Sequence, residues 1–437
     1  MNTVGYPDFK PASSCVSCGL CLPHCPTYRE LPAEMASPRG RIQLIKGLVD
    51  GSLASGPALE EHLSLCLACR ACESACPSGV RYGTLIESAR DVMSGHEAGE
   101  SDGDGAAHGV SGLAGRLLDA LFMRHIFPNP AALTAVALAM KAYQVSGLQW
   151  LVRNTPAGRL LPARLAELEA MMPSTSTLAE MRGLAEEYAP IGSERGRVGF
   201  LSGCVMQLCL GATNAASVEV LRRNGFRVLV PRGQCCCGAL HLHRGWLEGA
   251  RQMARRNLEA FETARVDVVV TNAAGCGSAF KDYAKLMEDD PAWRERAARF
   301  SASARDLQEF LVERGPIAPT VPLNARVIYS DPCHLLHAQR VKSQPRQLLR
   351  SIPGLELLEP LEAEWCCGSA GIYNLTHTRM SMAILRRKMD DLLAQRPDVI
   401  ATANPGCLFQ LRYGAQLAGS DVPVVHVMDL LARAYRS

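Results

Sequence analysis

Short apolar runs and longer amphipathic ones alternate through the second half of the chain. Residues 197–201 (RVGFL) and 267–272 (DVVVTN) are apolar stretches of strand length. Continuous apolar runs of that length suit strands buried on both faces. Residues 213–225 (TNAASVEVLRRNG) and 246–264 (WLEGARQMARRNLEAFETA) instead space their apolar positions three and four apart, as a helix with one buried face requires. Strands alternating with helices predict a parallel sheet with helices on its faces and sites at the carboxyl ends of its strands.

The pattern occurs twice. RVGFLSGCVMQ from Arg197 matches RVIYSDPCHLL from Arg326, and GFRVLVPRGQCCCGALH from Gly225 matches GLELLEPLEAEWCCGSAG from Gly354. VDVVVTNAAGCGSAF from Val266 matches PDVIATANPGCLFQL from Pro397. The offset is 129 residues at Cys204/Cys333, 130 at Cys237/Cys367 and 131 at Cys276/Cys407. One α/β module is therefore repeated. Upstream, residues 37–53 (SPRGRIQLIKGLVDGSL) predict a helix. Ser37 is its N-cap, Pro38 its first helical residue, and Ile42, Ile45 and Leu48 or Val49 share a face. Residues 94–112, rich in Gly and acidic residues, read as a mobile linker, and residues 113–190 as connecting helices.

Composition narrows the function. A chain of 437 residues exceeds one ordinary core, so several domains are expected. With a net charge of +3, nothing points to nucleic acid or to an anionic membrane as target. Residues 1–14 hold no apolar signal core, which places the chain in the cytoplasm. There, 18 cysteines mean metal or redox chemistry rather than disulfides. The most apolar stretch, residues 130–150, is broken by Lys141, Gln144 and Gly147. It can lie on a membrane without spanning it.

Two cysteine quartets define the N-terminal region. CVSCGLCLPHCP (residues 15–26) and CLACRACESACP (residues 66–77) share the spacing C-x2-C-x2-C-x3-C-P. A zinc ribbon would separate two C-x2-C knuckles by a dozen residues or more. The spacing here is that of bacterial two-cluster ferredoxins, in which the fourth cysteine ligates the other cluster. Two [4Fe–4S] clusters are thus predicted, one on Cys15, Cys18, Cys21 and Cys76, the other on Cys66, Cys69, Cys72 and Cys25. Arg39 and Arg41, between the quartets, read first as solvated arginines at a helix start and second as counter-charges for the clusters. The predicted organisation has four parts. Residues 1–93 form a mainly α-helical two-cluster ferredoxin-like domain, and residues 94–195 a linker with connecting helices. Residues 196–322 and 323–437 are the two repeated α/β modules with parallel sheets.

Each module carries one cysteine after its first strand, a Cys-Cys-Gly, and one cysteine after a later strand. The sets are Cys204, Cys236, Cys237, Cys276 and Cys333, Cys366, Cys367, Cys407. Adjacent cysteines can bind two irons of one cluster, and the alternative is small, inert core thiols. His241, His243, His334 and His337 lie beside them and read as packing or hydrogen-bonding residues. No G-x-G-x-x-G follows a strand and no P-loop occurs, so no flavin or nicotinamide site is recognisable.

Together these motifs resemble the iron–sulfur subunits of flavoprotein dehydrogenases and the cysteine-rich subunit of heterodisulfide reductase. CVSCGLCLPHCPTY, SPRGRI, CLACRACESACPSGV, QCCCGALHLH, TNAAGCG and CCGSAGIYN are most similar to the iron–sulfur subunits of bacterial glycolate oxidases. The resemblance implies an electron-transfer subunit without catalysis of its own. Its partners would be flavin-binding subunits, carrying the FAD, that oxidise glycolate to glyoxylate. It implies a quinone-type acceptor and a peripheral place on the inner face of the cell membrane, and it admits a further cluster at the Cys-Cys-Gly modules. In the reductases the module ends in C-x2-C; here Ala279 and Gln410 stand at the last position, and Cys209 or Cys235 are possible substitutes. A lactate or glycerol 3-phosphate dehydrogenase subunit, and an enzyme of disulfide-reductase type, are the rival readings.

Overall fold

The computed structural model describes residues 7–94 and 121–435; most of the Gly- and acid-rich linker lies outside them. The predicted N-terminal helix is α1 (Pro38–Asp50). Ser37 Oγ accepts the Gly40 amide and Gly51 closes the helix in the left-handed region, which satisfies the groups that a helix end leaves unbonded. Ile42 and Ile45 are buried while Val49 is exposed, so Leu48 completes the buried face. With Leu63 and Leu85 of the neighbouring helices they form the core of this domain. Helix α2 (Tyr82–Ser94) packs beside α1 and leads out of the domain.

The connecting segment contains α3 (Pro130–Val145) and α4 (Leu148–Asn154). The two bend by 60° at a short break, and among the described residues no single helix is long and apolar enough to cross a membrane. Gly147, in the left-handed region, supplies the break that the sequence showed there.

The two modules follow. Strands β2 (Gly196–Leu201), β3 (Phe226–Leu229), β4 (Val268–Thr271) and β5 (Ala304–Asp306) pair in parallel in the order β3-β2-β4-β5. A two-residue strand β1 (Glu187–Tyr188) adds antiparallel to β3. Helices α5 (Gly211–Arg223), α6 (Leu247–Thr263) and α7 (Ala274–Leu286) connect the parallel strands. In the second module β6 (Ala325–Tyr329), β7 (Leu355–Leu358), β8 (Val399–Thr402) and β9 (Val424–His426) take the order β7-β6-β8-β9. Helices α8 (Thr378–Ala394) and α9 (Pro405–Leu417) flank β8. Both sheets place their second strand outside the first and their third on its other side. That order reverses between first and third strand, β2/β4 and β6/β8, and opens a crevice there.

One hydrophobic core serves both modules. Val198, Phe200, Val228 and Val270 of the first sheet and Val327, Tyr329 and Ala401 of the second belong to it, with Val427, Leu430 and Leu431 of the last helix. Fully burying one such side chain contributes about 1.5–3 kcal/mol, so the modules stabilise one another.

Candidate metal centres

The N-terminal cysteines gather at two cavities. One is lined by Cys15, Cys18, Cys21 and Cys76, with Pro38, Arg39 and Tyr82 at its walls. The other is lined by Cys25, Cys66, Cys69 and Cys72, with Thr27, Arg41 and again Tyr82. Cys72 also reaches the first cavity. Each thus takes three cysteines from one quartet and the fourth from the other. Among the described residues no group of three or more His, Cys, Asp or Glu is placed to hold a single metal ion. The thiols surround a space instead of converging on a point, and a multi-iron cluster needs that arrangement.

Charge fits as well. Arg41 is 1% exposed, which overturns its reading as a solvated residue. Its guanidinium donates to His62 O at 2.9 Å and to Thr27 Oγ1 at 3.0 Å, both neutral oxygens. Burial alone would lower its pKa, but Tyr82, Cys66 and Cys25 beside it raise it. A buried cation facing cysteines is costly unless those sulfurs carry negative charge, as metal-bound thiolates do. Arg39 keeps the solvated role: it pairs with Glu34 at 2.7 Å at the rim of the first cavity. Arg90 and Tyr82 had escaped the sequence reading. Arg90 is buried and donates to the carbonyls of Leu63, Cys66 and His243, and nothing in its local sequence marks it.

The module cysteines sit where the sheet order reverses. Cys204 and Cys276 follow β2 and β4; Cys236 and Cys237 follow β3. Cys204 and Cys236 Sγ are 3.6 Å apart. The bond to Cys236, then burial, holds the Cys204 thiol well above its ordinary pKa. At Cys237 the bond to Cys236 lowers the pKa, while the bond to Cys276 and burial raise it, for a net rise. In the second module the neighbouring thiols and burial likewise leave Cys333, Cys366 and Cys367 well above their ordinary pKa. Each module thus brings four cysteines together at one end of its sheet, at least two of them buried.

The glycine of Cys-Cys-Gly has a physical reason. Gly238 and Gly368 have φ of +82° and +84°, and a Cβ on them would meet Ala250 Cα at 3.3 Å and Ser381 O at 2.6 Å. Only glycine takes that turn against α6 and α8. Asn257 of α6 then fixes the loop, accepting the Cys235 amide at 2.9 Å and donating to Cys236 O at 3.0 Å.

The residues at the altered last positions pack beside the cysteines without offering a sulfur. Ala279 is buried in the first module's core, and Gln410 bonds Asn374 and Ser381. Cys235 packs with Cys236 and Cys204. Burial pushes the thiols of Cys209 and Cys235 up to about 12 and about 11, with Cys204 adding to each. The histidines hydrogen-bond: His241 to Met123 O, His243 to Glu87, His334 to Cys333 and His337 to Ser74.

The four sets adjoin one another. Cys69 packs in one buried cluster with Cys333 and Cys366, and Cys276 in another with Cys367 and Cys407. At that junction α7 and α9 meet by their first turns: the Ala274 amide donates to Ala403 O at 3.2 Å and the Gly275 amide to Asn404 Oδ1 at 3.0 Å.

Comparison with known proteins agrees with this arrangement. Residues 11–80 match the 4Fe-4S dicluster domain, residues 198–281 and 327–412 the cysteine-rich domain, and residues 114–172 the linker region of the glycolate oxidase iron–sulfur subunit. The probable glycolate oxidase iron–sulfur subunit of Bacillus subtilis is 40% identical over 96% of this chain and 93% of its own. The glycolate oxidase iron–sulfur subunit of Escherichia coli is 32% identical over 90% of this chain and 88% of its own. One of the subunits of the CoM/CoB fumarate reductase of Methanothermobacter marburgensis is 27% identical over 98% and 74%. With a 4Fe-4S dicluster domain whose two cavities each draw cysteines from both quartets, paired cysteine-rich modules and this likeness over nearly its whole length, the chain belongs to the family of glycolate oxidase iron–sulfur subunits, electron-transfer members of an oxidoreductase complex.

Proposed function

We propose that the chain relays electrons from a flavin in partner subunits, where glycolate is oxidised to glyoxylate, to a quinone-type acceptor. Its place would be the inner face of the cell membrane, bound peripherally. Cys15, Cys18, Cys21 and Cys76 would hold one cubane and Cys66, Cys69, Cys72 and Cys25 the other. Cys204, Cys236, Cys237, Cys276 and Cys333, Cys366, Cys367, Cys407 would form further iron–sulfur sites. The contiguity of the four sets carries this reading, since Cys69 shares a buried cluster with Cys333 and Cys366, and Cys276 shares another with Cys367 and Cys407.

Bound clusters supply one-electron transfer, whereas a 2-hydroxy acid loses two electrons together and a flavin accepts that pair. The chain's own residues do the rest. Burial excludes water from Cys66, Cys72 and Cys366, Arg41 balances charge, and the exposed Cys18 loop offers the donor an entry. Reconstitution tests the reading. Flavin subunits joined to the iron-loaded chain should reduce a quinone analogue with glycolate, and either component alone should not. Equal rates with and without the chain would refute the relay.

A further inference from the structure

The two modules share a topology but not their surroundings. The second module's cysteines are roofed by the N-terminal domain: Cys333 and Cys366 pack against Leu67, Cys69 and Trp365. The first module's set is instead approached from outside at the partly exposed Cys204, beside the buried Cys235 and Cys236. A cavity of about 290 Å³ reaches these three; Leu133, Met181, Leu208 and Val230 supply its apolar walls and Arg182, Ser202, Arg232 and Gln234 its polar ones. Gln207 also lines it; its Oε1 is buried without a hydrogen-bond partner, while its Nε2 donates to Glu180 O. Leu133 and Thr134 belong to α3. Beyond the cavity that helix and α4 leave Val145, Leu148 and Trp150 at 69%, 52% and 64% exposure.

We propose that this cavity holds the ring of a lipophilic quinone, the terminal acceptor of the relay, with the quinone's tail leaving along the apolar side of α3 and α4. The inference rests on the reading above that the acceptor is a quinone. The volume lies at the lower edge of the range of small-molecule sites, and a lining part apolar and part polar suits a flat ring that carries two carbonyl oxygens. Quinone oxygens accept hydrogen bonds, and the Arg182 and Gln234 side chains in the lining are donors. The place also fits. The four cysteine sets form one contiguous series from the exposed Cys18 loop to Cys204, and this cavity opens at its far end. The balance is simple: quinone takes two electrons, delivered singly from glycolate oxidation, and two protons from solvent at the cavity mouth, giving quinol. Val145, Leu148 and Trp150 would rest on the lipid from which a long-tailed quinone comes.

The test uses the iron-loaded chain in complex with its flavin subunits. An azido-substituted ubiquinone should, on illumination, label peptides containing residues 130–134, 181–184 and 230–236, and decylubiquinone should compete. Label confined to other peptides overturns the proposal. Thr134→Trp, which fills the cavity from α3, should raise the KM for decylubiquinone about tenfold or more, with unchanged cluster spectra in the reduced complex showing that the chain folds and loads. Undiminished quinone reduction in that variant, with label elsewhere, refutes this cavity and leaves the quinone reading standing. A complex that reduces ferricyanide with glycolate but no quinone refutes both.

Discussion

Arg41 carries a full charge into the N-terminal core and meets only neutral oxygens there. Such a charge persists where a bound group offsets it, and here Cys25 and Cys66 lie beside it. Arg41→Leu is expected to lower the reduction potential of the cluster held by Cys66 by about 60 mV or more, the equivalent of a tenfold change for one electron. Arg41→Lys should restore part of it. Potentiometric titration followed by electron paramagnetic resonance reads both, and an unmoved potential would return Arg41 to a purely structural role. Cys25 is the second decisive residue. It belongs by sequence to the first quartet but lines the cavity of Cys66, Cys69 and Cys72. Cys25→Ser should take the iron of the N-terminal domain from about eight to about four and remove the spectrum of the Cys66 cluster. Loss of the Cys15–Cys18–Cys21 cluster alone would show that the assignment is not crossed.

Single elements carry their own signals and their own surprises. The α1 helix was legible because its cap, its first-turn proline and its apolar spacing are all local. The paired modules were legible for the same reason: buried strands and amphipathic helices announce themselves by period. The helix after β5, Leu307–Glu313, shows what is not legible. Its N-cap Asp306 is fully buried; Oδ1 accepts the Gln308 amide at 2.8 Å, and Oδ2 has no partner. Burial pushes its carboxyl up to about 7. The folded pKa lies above the unfolded value of about 3.9, so the folded state binds more protons between these values. Stability is therefore highest at the acid end of that window and falls as pH rises to about 7. From about pH 6 to about pH 8 the loss is about 1.4 kcal/mol. Asp306→Asn should flatten that part of the curve, as denaturant midpoints across the range will show. A variant as pH-sensitive as the parent would mean that other groups set the slope.

At the scale of the molecule, three regions are locked together by contacts that no local spacing foretells. Tyr373 OH donates to Leu65 O at 3.0 Å, Arg70 pairs with Asp282 at 2.9 Å, and Arg29 pairs with Glu362 at 3.1 Å. They seat the N-terminal domain across both modules, with its Cys66 set against the second. Cluster chemistry, the repeat and the positions of the cysteines after the strands could all be read from residue order. Cluster ligands come from short loops with sulfurs every third residue, and strand-to-loop placement follows from period and turn. The burial of Arg41, the adjoining of the four cysteine sets and the cavity at the first module against the roof over the second arise only in the folded chain. Those outcomes depend on which surfaces of separately patterned regions bury one another, and burial between distant segments leaves no trace in the spacing of either.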